Sequence, residues 1–176
     1  MNQMLQDPEV RHSPEPPTPP TQHRRFAKPQ RVAFVQSSWH REVVEECRIA
    51  FLGEIEARGI APAQVDLFEV PGSFEIPLHA QILAKTRRYT AIVAAGLVVD
   101  GGIYRHEFVA QAVISGIVQV GLDTGIPVLS AVLTPIHFHE HEAHLNFFTE
   151  HMLVKGKELA QSCAAVLKTL ESIPSA

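Results

Sequence analysis

Four consecutive side chains, Tyr104-Arg105-His106-Glu107, hold the means to clamp an anion and to move a proton. They follow Asp100-Gly101-Gly102, where paired glycines let the backbone turn sharply and approach a ligand closely. Ahead of that turn runs Ala91 to Val99, apolar, β-branched and too short for anything but a buried strand. Behind it comes a strongly apolar helical pattern, Phe108 to Leu122. Strand, glycine turn and helix N-terminus is how an open α/β sheet binds ligands, at the carboxyl end of a strand and facing free helix N–H groups. A buried strand that empties into Arg-His-Glu reads as functional rather than as a solvated turn.

Similar punctuation recurs along the chain. Val32 to Gln36 is a short apolar strand leading into Ser37-Ser38-Trp39-His40, where either serine can cap the next helix. Val43, Cys47, Phe51 and Ile55 give that helix one buried face, and Gly59 closes it. A second strand, Val65 to Val70, meets Pro71-Gly72-Ser73-Phe74-Glu75, and Ser73 starts a second helix running to about Thr86. Pro127 to Leu133 is the fourth strand, and a helical pattern runs from about Glu140 to Glu171, with a break expected near Lys155-Gly156. This β-α alternation with short apolar strands predicts a four-stranded parallel sheet covered on both faces. The expected architecture is a three-layer α/β/α sandwich, flavodoxin-like, over residues 31–172. Residues 1–30 contain Ser13 to Thr21, which is proline-dense and almost without apolar side chains, and are expected to form a disordered tail.

In such a fold the loops after the strands share one edge. There they would gather Trp39, Phe74, Glu75, Arg105, His106, His137, His139 and His144. The set is aromatic and cationic, which suits a flat ring stacked on an indole and an anion held by cations. Trp39, the sole tryptophan, is either that platform or core filler. Glu75 either binds ligand or complements a helix dipole. His137-Phe138-His139-Glu140-His141 matches the spacing of an H-x-x-E-H zinc motif, but Pro135 leaves no helix long enough to carry both histidines, so no metal is expected. The third helix has apolar residues nearly all round (Val109, Ala112, Val113, Ile114, Ile117, Val118, Val120), which predicts a subunit contact on its outer side.

Composition narrows the classes. With 176 residues, 45% hydrophobic and net charge −4, the chain is a one-domain globular protein without the basic face that nucleic acid requires. Neither a membrane-spanning run nor a basic-then-apolar signal layout occurs, and the two cysteines, Cys47 and Cys163, suit a reduced interior. A cytoplasmic location is expected.

Three blocks resemble lumazine synthase, the penultimate enzyme of riboflavin biosynthesis: Val70-PGSFEIP-Leu78, Leu97 to Val109, and Pro127 to Thr134. DGGIYRHEFV together with HFHEHEAH is similar to the smaller second type of that family, assembled as stacked pentamers. The resemblance implies condensation of 5-amino-6-(D-ribitylamino)uracil with 3,4-dihydroxy-2-butanone 4-phosphate, without metal or organic cofactor. It implies that Trp39 stacks on the pyrimidine ring and that Ser73, Phe74 and Glu75 hold the ribityl chain and ring edge. Leu97, Val98 and Val99 would read the pyrimidinedione through their backbone. Ser130 would reach the ring of an adjacent subunit's site.

Two positions depart from the family pattern. The catalytic histidine falls on Arg105, with His106 one place on, and the phosphate-binding arginine falls on His144. Arginine holds its proton and makes a phosphate clamp, whereas histidine titrates where proton transfer is needed. Either Arg105 stabilises phosphate while His106 moves protons, or catalysis is chiefly proximity. The rival function is a flavin or lumazine carrier that binds without turnover.

Overall fold

The structure, a computed structural model, describes residues 26–27, 29–103, 105–136 and 142–174, with the side chains of 142–144 excluded. The histidine-rich run 137–141 and the side chain of His144 therefore lie outside the described residues. Among the described residues, four strands form one parallel sheet in the order β2-β1-β3-β4. They are β1 (Val32–Ser37), β2 (Val65–Val70), β3 (Ala91–Leu97) and β4 (Val128–Leu133). The helices are α1 (Arg41–Ala57), α2 (Ile76–Lys85), α3 (His106–Thr124) and α4 (Glu142–Ser172). Helix α1 packs with α4 on one face, and α2 with α3 on the other. This is the expected α/β/α sandwich.

Burial explains the order. Every residue of β1 and β3 is buried, so these two occupy the centre, with helices covering both sides. Edge strand β2 alternates instead, and Leu67 on it is exposed. An ion pair locks β2 to β1 at their amino ends: Arg31 donates to Asp66 from Nε at 2.9 Å, and the Tyr89 hydroxyl donates to Asp66 at 2.8 Å. Those donors hold the Asp66 carboxyl below the usual carboxylate range, Arg31 contributing most. Packing begins ahead of β1, since Phe26 is buried and its carbonyl accepts from the Gln30 amide at 2.7 Å.

Three local expectations change. No side chain caps α1: its N-cap is His40, and the Ser38 hydroxyl instead donates to the Pro71 carbonyl at 3.1 Å. Helix α3 starts at His106, two residues before Phe108, because Arg105 already has its carbonyl bonded to the Phe108 amide. Finally, α4 runs unbroken through Lys155 and Gly156. Gly156 is there for proximity, as a Cβ would collide with the Cys47 carbonyl and lie 2.8 Å from the Ala50 Cβ. Both cysteines are buried, which pushes each thiol up to about 12 and leaves neither as a nucleophile.

Helix α3 divides its apolar residues between two surroundings. Val113, Ile117 and Val120 are buried inside the protomer, whereas Phe108, Ile114, Val118 and Leu122 are exposed. Leu78 and Ile82 on the neighbouring α2 are exposed as well.

The α1–α4 contact is tested by Gly156→Ala. Helix propensity alone would stabilise this change by about 1 kcal/mol. Overpacking against a backbone carbonyl costs about 1–3 kcal/mol, so the collision should win and lower the melting temperature by several degrees. A calorimetric midpoint at or above that of the unaltered protein would contradict the close approach.

Candidate active site

The sheet order reverses between β1 and β3, and loops diverging from their carboxyl ends leave a crevice there. A pocket of about 330 Å³ occupies it. Trp39 and His40 come from the loop after β1, Ser73 and Phe74 from the turn after β2. Leu97, Val98, Val99, Gly101 and Ile103 come from the end of β3 and its loop, and His106 and Val109 from the first turns of α3.

Trp39 is held in place by its backbone. The Ser38 amide donates to the Val70 carbonyl at 2.8 Å and the Trp39 amide to the Pro71 carbonyl at 3.1 Å, so the β1 and β2 loops close on each other. The indole lies over Gly72, where a Cβ would sit 3.3 Å from Trp39 Cε3. Its side chain is 66% exposed, which rules out core filler and leaves a flat apolar surface at the pocket. Glu75 completes this corner without lining the pocket: its carboxylate accepts from the Gly72 amide at 2.8 Å. That bond closes a short 3₁₀ turn, Ser73–Glu75, which brings Ser73 beneath the pocket and leaves Phe74 exposed on its rim.

The floor rests on a second glycine. A Cβ at Gly96 would collide with the Ser73 hydroxyl and lie 3.2 Å from the Ser37 hydroxyl. Both hydroxyls are buried and lack a hydrogen-bond partner among the described residues. The Val98 amide donates to the Leu133 carbonyl at 2.9 Å, so the sheet uses it and it is unavailable to a ring. In the following loop Gly102 has φ +74, and its amide donates to the Asp100 carboxylate at 3.0 Å. Only a glycine enters that conformation without strain.

The charged candidates separate. His106 lines the pocket with its side chain 13% exposed, 3.7 Å from the Glu107 carboxylate. Arg105 is exposed, does not line the pocket, and carries its guanidinium carbon 4.9 Å from the centre of the Phe108 ring. Ser130 lies on β4 outside the pocket, its hydroxyl accepting from the Val132 amide at 3.1 Å. Gly101 lines the pocket as its glycine turn implied, whereas His40, Ile103 and Val109 line it without having been named as ligand contacts. A larger cleft of about 940 Å³ opens at the opposite edge, between Gln30, Gly59 and the end of α4. No strand-end loop converges there, so the smaller pocket is the candidate site. Among the described residues no group of three or more His, Cys, Asp or Glu is placed to hold a metal.

A parallel, doubly covered sheet with an exposed indole and a histidine beside a pocket at its switch point defines a flavodoxin-like α/β protein with its candidate ligand site at the strand ends. The chain belongs to the 6,7-dimethyl-8-ribityllumazine synthase family, whose pattern it matches over residues 29–171. It is 67% identical to 6,7-dimethyl-8-ribityllumazine synthase 2 of Bradyrhizobium diazoefficiens, over 88% of this chain and 93% of that one. To the Rhodopseudomonas palustris protein of the same name it is 58% identical, over 90% and 86% of the two chains. To 6,7-dimethyl-8-ribityllumazine synthase 1 of Caulobacter vibrioides identity falls to 34%, over 82% and 93%.

The Glu75–Gly72 bond carries a separable expectation. Glu75→Ala orphans a buried amide and should cost about 1–2 kcal/mol of stability. Glu75→Gln keeps an acceptor and should melt near the unaltered protein. Equal melting temperatures for the two variants would show that the bond does not brace this corner.

Proposed function

We propose that this pocket condenses 5-amino-6-(D-ribitylamino)uracil with 3,4-dihydroxy-2-butanone 4-phosphate, giving 6,7-dimethyl-8-ribityllumazine with release of phosphate and water. The observation that carries this reading is Trp39: a largely exposed indole, fixed by two backbone bonds, beside a pocket with His106 in its wall. The pyrimidine stacks on Trp39, and Ser73 and Phe74 hold the ribityl chain. Glu75, engaged with Gly72, sets the position of both.

Arg105 acts as the phosphate clamp, since a guanidinium cannot give up its proton but pairs well with phosphate oxygens. His106 moves protons between the amine, the ketone and the leaving water. Alignment of amine and ketone in one pocket supplies much of the remaining rate, a contribution worth several powers of ten. Neither metal nor organic cofactor takes part. The higher identity to relatives numbered 2 than to the one numbered 1 favours the smaller second type. We assign residues 31–172 to the catalytic unit, onto whose core Phe26 and Gln30 also pack, and the protein to the cytoplasm.

The assembly belongs to the same reading. Val118 and Leu122 on α3, with Leu78 and Ile82 on α2, form an exposed apolar surface suited to a second copy of the chain. A ring of subunits joined there, pentameric and stacked in pairs, brings Ser130 and His144 of one subunit to a neighbour's pocket. His144 stands in the first turn of α4.

Mixing the protein with both substrates should yield a fluorescent lumazine, and binding without product would favour the carrier. Arg105→Ala should raise KM for the butanone phosphate about 10- to 100-fold and that for the uracil much less. His106→Asn should instead lower kcat by about 100-fold or more with little change in either KM. An unchanged kcat would return His106 to packing. For the assembly, Val118→Asp places an unpaired charge on the contact and should yield folded protein of smaller particle size by light scattering. An unchanged size would remove α3 from the subunit contact.

A further inference from the structure

We propose that His40 is a further substrate-contacting residue of the pocket, its imidazole held there by a left-handed backbone that the surrounding contacts enforce. This rests on the condensation reading above and adds a residue to it. His40 has φ 54 and ψ 41, one of two non-glycine residues with positive φ among those described. That conformation crowds a Cβ and is routine only for glycine, with asparagine and aspartate next.

The surroundings leave no alternative. On one side the amides of Ser38 and Trp39 are pinned to the Val70 and Pro71 carbonyls. On the other α1 begins at once, the His40 carbonyl accepting from the Val43 and Val44 amides at 2.9 and 3.0 Å. Arg41 is tied to Glu45 at 3.3 Å and to Glu69 at 3.2 Å, which fixes the first turn of the helix against β2. A single residue must turn the chain from strand end to helix axis.

Glycine would make that turn without strain, and serine, threonine, asparagine or aspartate would cap the helix. Histidine does neither, since its side chain makes no cap bond to α1. His40 lines the pocket next to Trp39. Strain of this kind persists where the fold over-determines it and collects at ligand sites. Among the described residues, those lining the pocket include two histidines, His40 and His106, and one serine, Ser73, and no Asp, Glu, Lys or Arg. An imidazole presents a donor on one nitrogen and an acceptor on the other, which fits a hydroxyl or carbonyl oxygen of a ribityl- or ketone-bearing substrate. Glu42, 3.9 Å from His40 Nδ1 and well exposed, is the charged neighbour on the solvent side.

The test compares His40→Gly with His40→Asn. The glycine variant relieves the backbone and deletes the ring; the asparagine variant tolerates the backbone and keeps a donor and an acceptor. Melting temperature, kcat and both KM values are measured, together with quenching of Trp39 fluorescence by added 6,7-dimethyl-8-ribityllumazine. As the only tryptophan, Trp39 reports that binding directly. His40→Gly should melt no lower than the unaltered protein yet lose tenfold or more in kcat/KM and in lumazine affinity. His40→Asn should recover part of both. Unchanged kcat/KM and affinity in His40→Gly would overturn the proposal, as would a melting temperature well below that of the unaltered protein, which would make the ring packing. Absence of turnover in the unaltered protein would sink the condensation reading alone, and the lumazine titration would then decide His40.

Discussion

The central strands β1 and β3 are buried on both faces, and this constrains everything else. A strand sealed between two layers of helices has no room for an ionised side chain, because desolvation would outweigh any use it had. Chemistry is therefore displaced to the first residues beyond the strand ends. The pocket follows that rule: its polar side chains, His40, Ser73 and His106, all stand in the loops or helix starts that follow β1, β2 and β3. Gln36, the amide inside β1, shows the cost of an exception, needing Glu45 and Glu69 within 3.5 Å to occupy its donor.

Loops that leave a parallel sheet at adjacent points must also pass close to one another, and glycine makes the approach possible. Gly72 lets the Trp39 indole lie against the β2 turn, and Gly96 leaves space for the Ser37 and Ser73 hydroxyls below the pocket. Gly116 does the same for Pro77, whose Cβ is 2.9 Å from where a side chain would begin. That contact draws α2 and α3 together on the face that carries the exposed apolar residues. Positive φ matters at fewer places: Gly102 needs it and Gly96 does not. Close contacts account for Gly72, Gly96, Gly116 and Gly156, and positive φ for Gly59, Gly102 and Gly125.

Much of this was legible because the signals were strong and local. Apolar runs ended within two residues of the observed strand ends, and the glycine and proline breaks marked three of the loops that line the candidate pocket. Trp39 was recognisable as a candidate, but its exposure depends on Gly72, which is distant in sequence and adjacent only through the β1–β2 pairing. His40 was passed over because a left-handed conformation at a non-glycine residue has no sequence signature. It follows from the clamp between Ser38 and Val70 meeting the start of α1. The expected break at Gly156 failed for a related reason: helix propensity describes one helix, whereas that glycine serves the contact between two.

The division of residues along α3 links site to assembly. At its amino end His106 and Val109 face the pocket, and further along Val113, Ile117 and Val120 close the protomer's own core. The large apolar residues Phe108, Ile114, Val118 and Leu122 are exposed and belong to neither. Helix α3 thus has an apolar side beyond its own core and pocket, next to a solvated stripe of Gln111, Ser115, Gln119 and Asp123, and a lone protomer leaves that apolar side uncovered. The proposed subunit contact covers it. It would also fix the helix that begins at His106, just after Arg105, so that the proposed phosphate clamp and proton carrier would owe their positions to the proposed contact as well as to one chain.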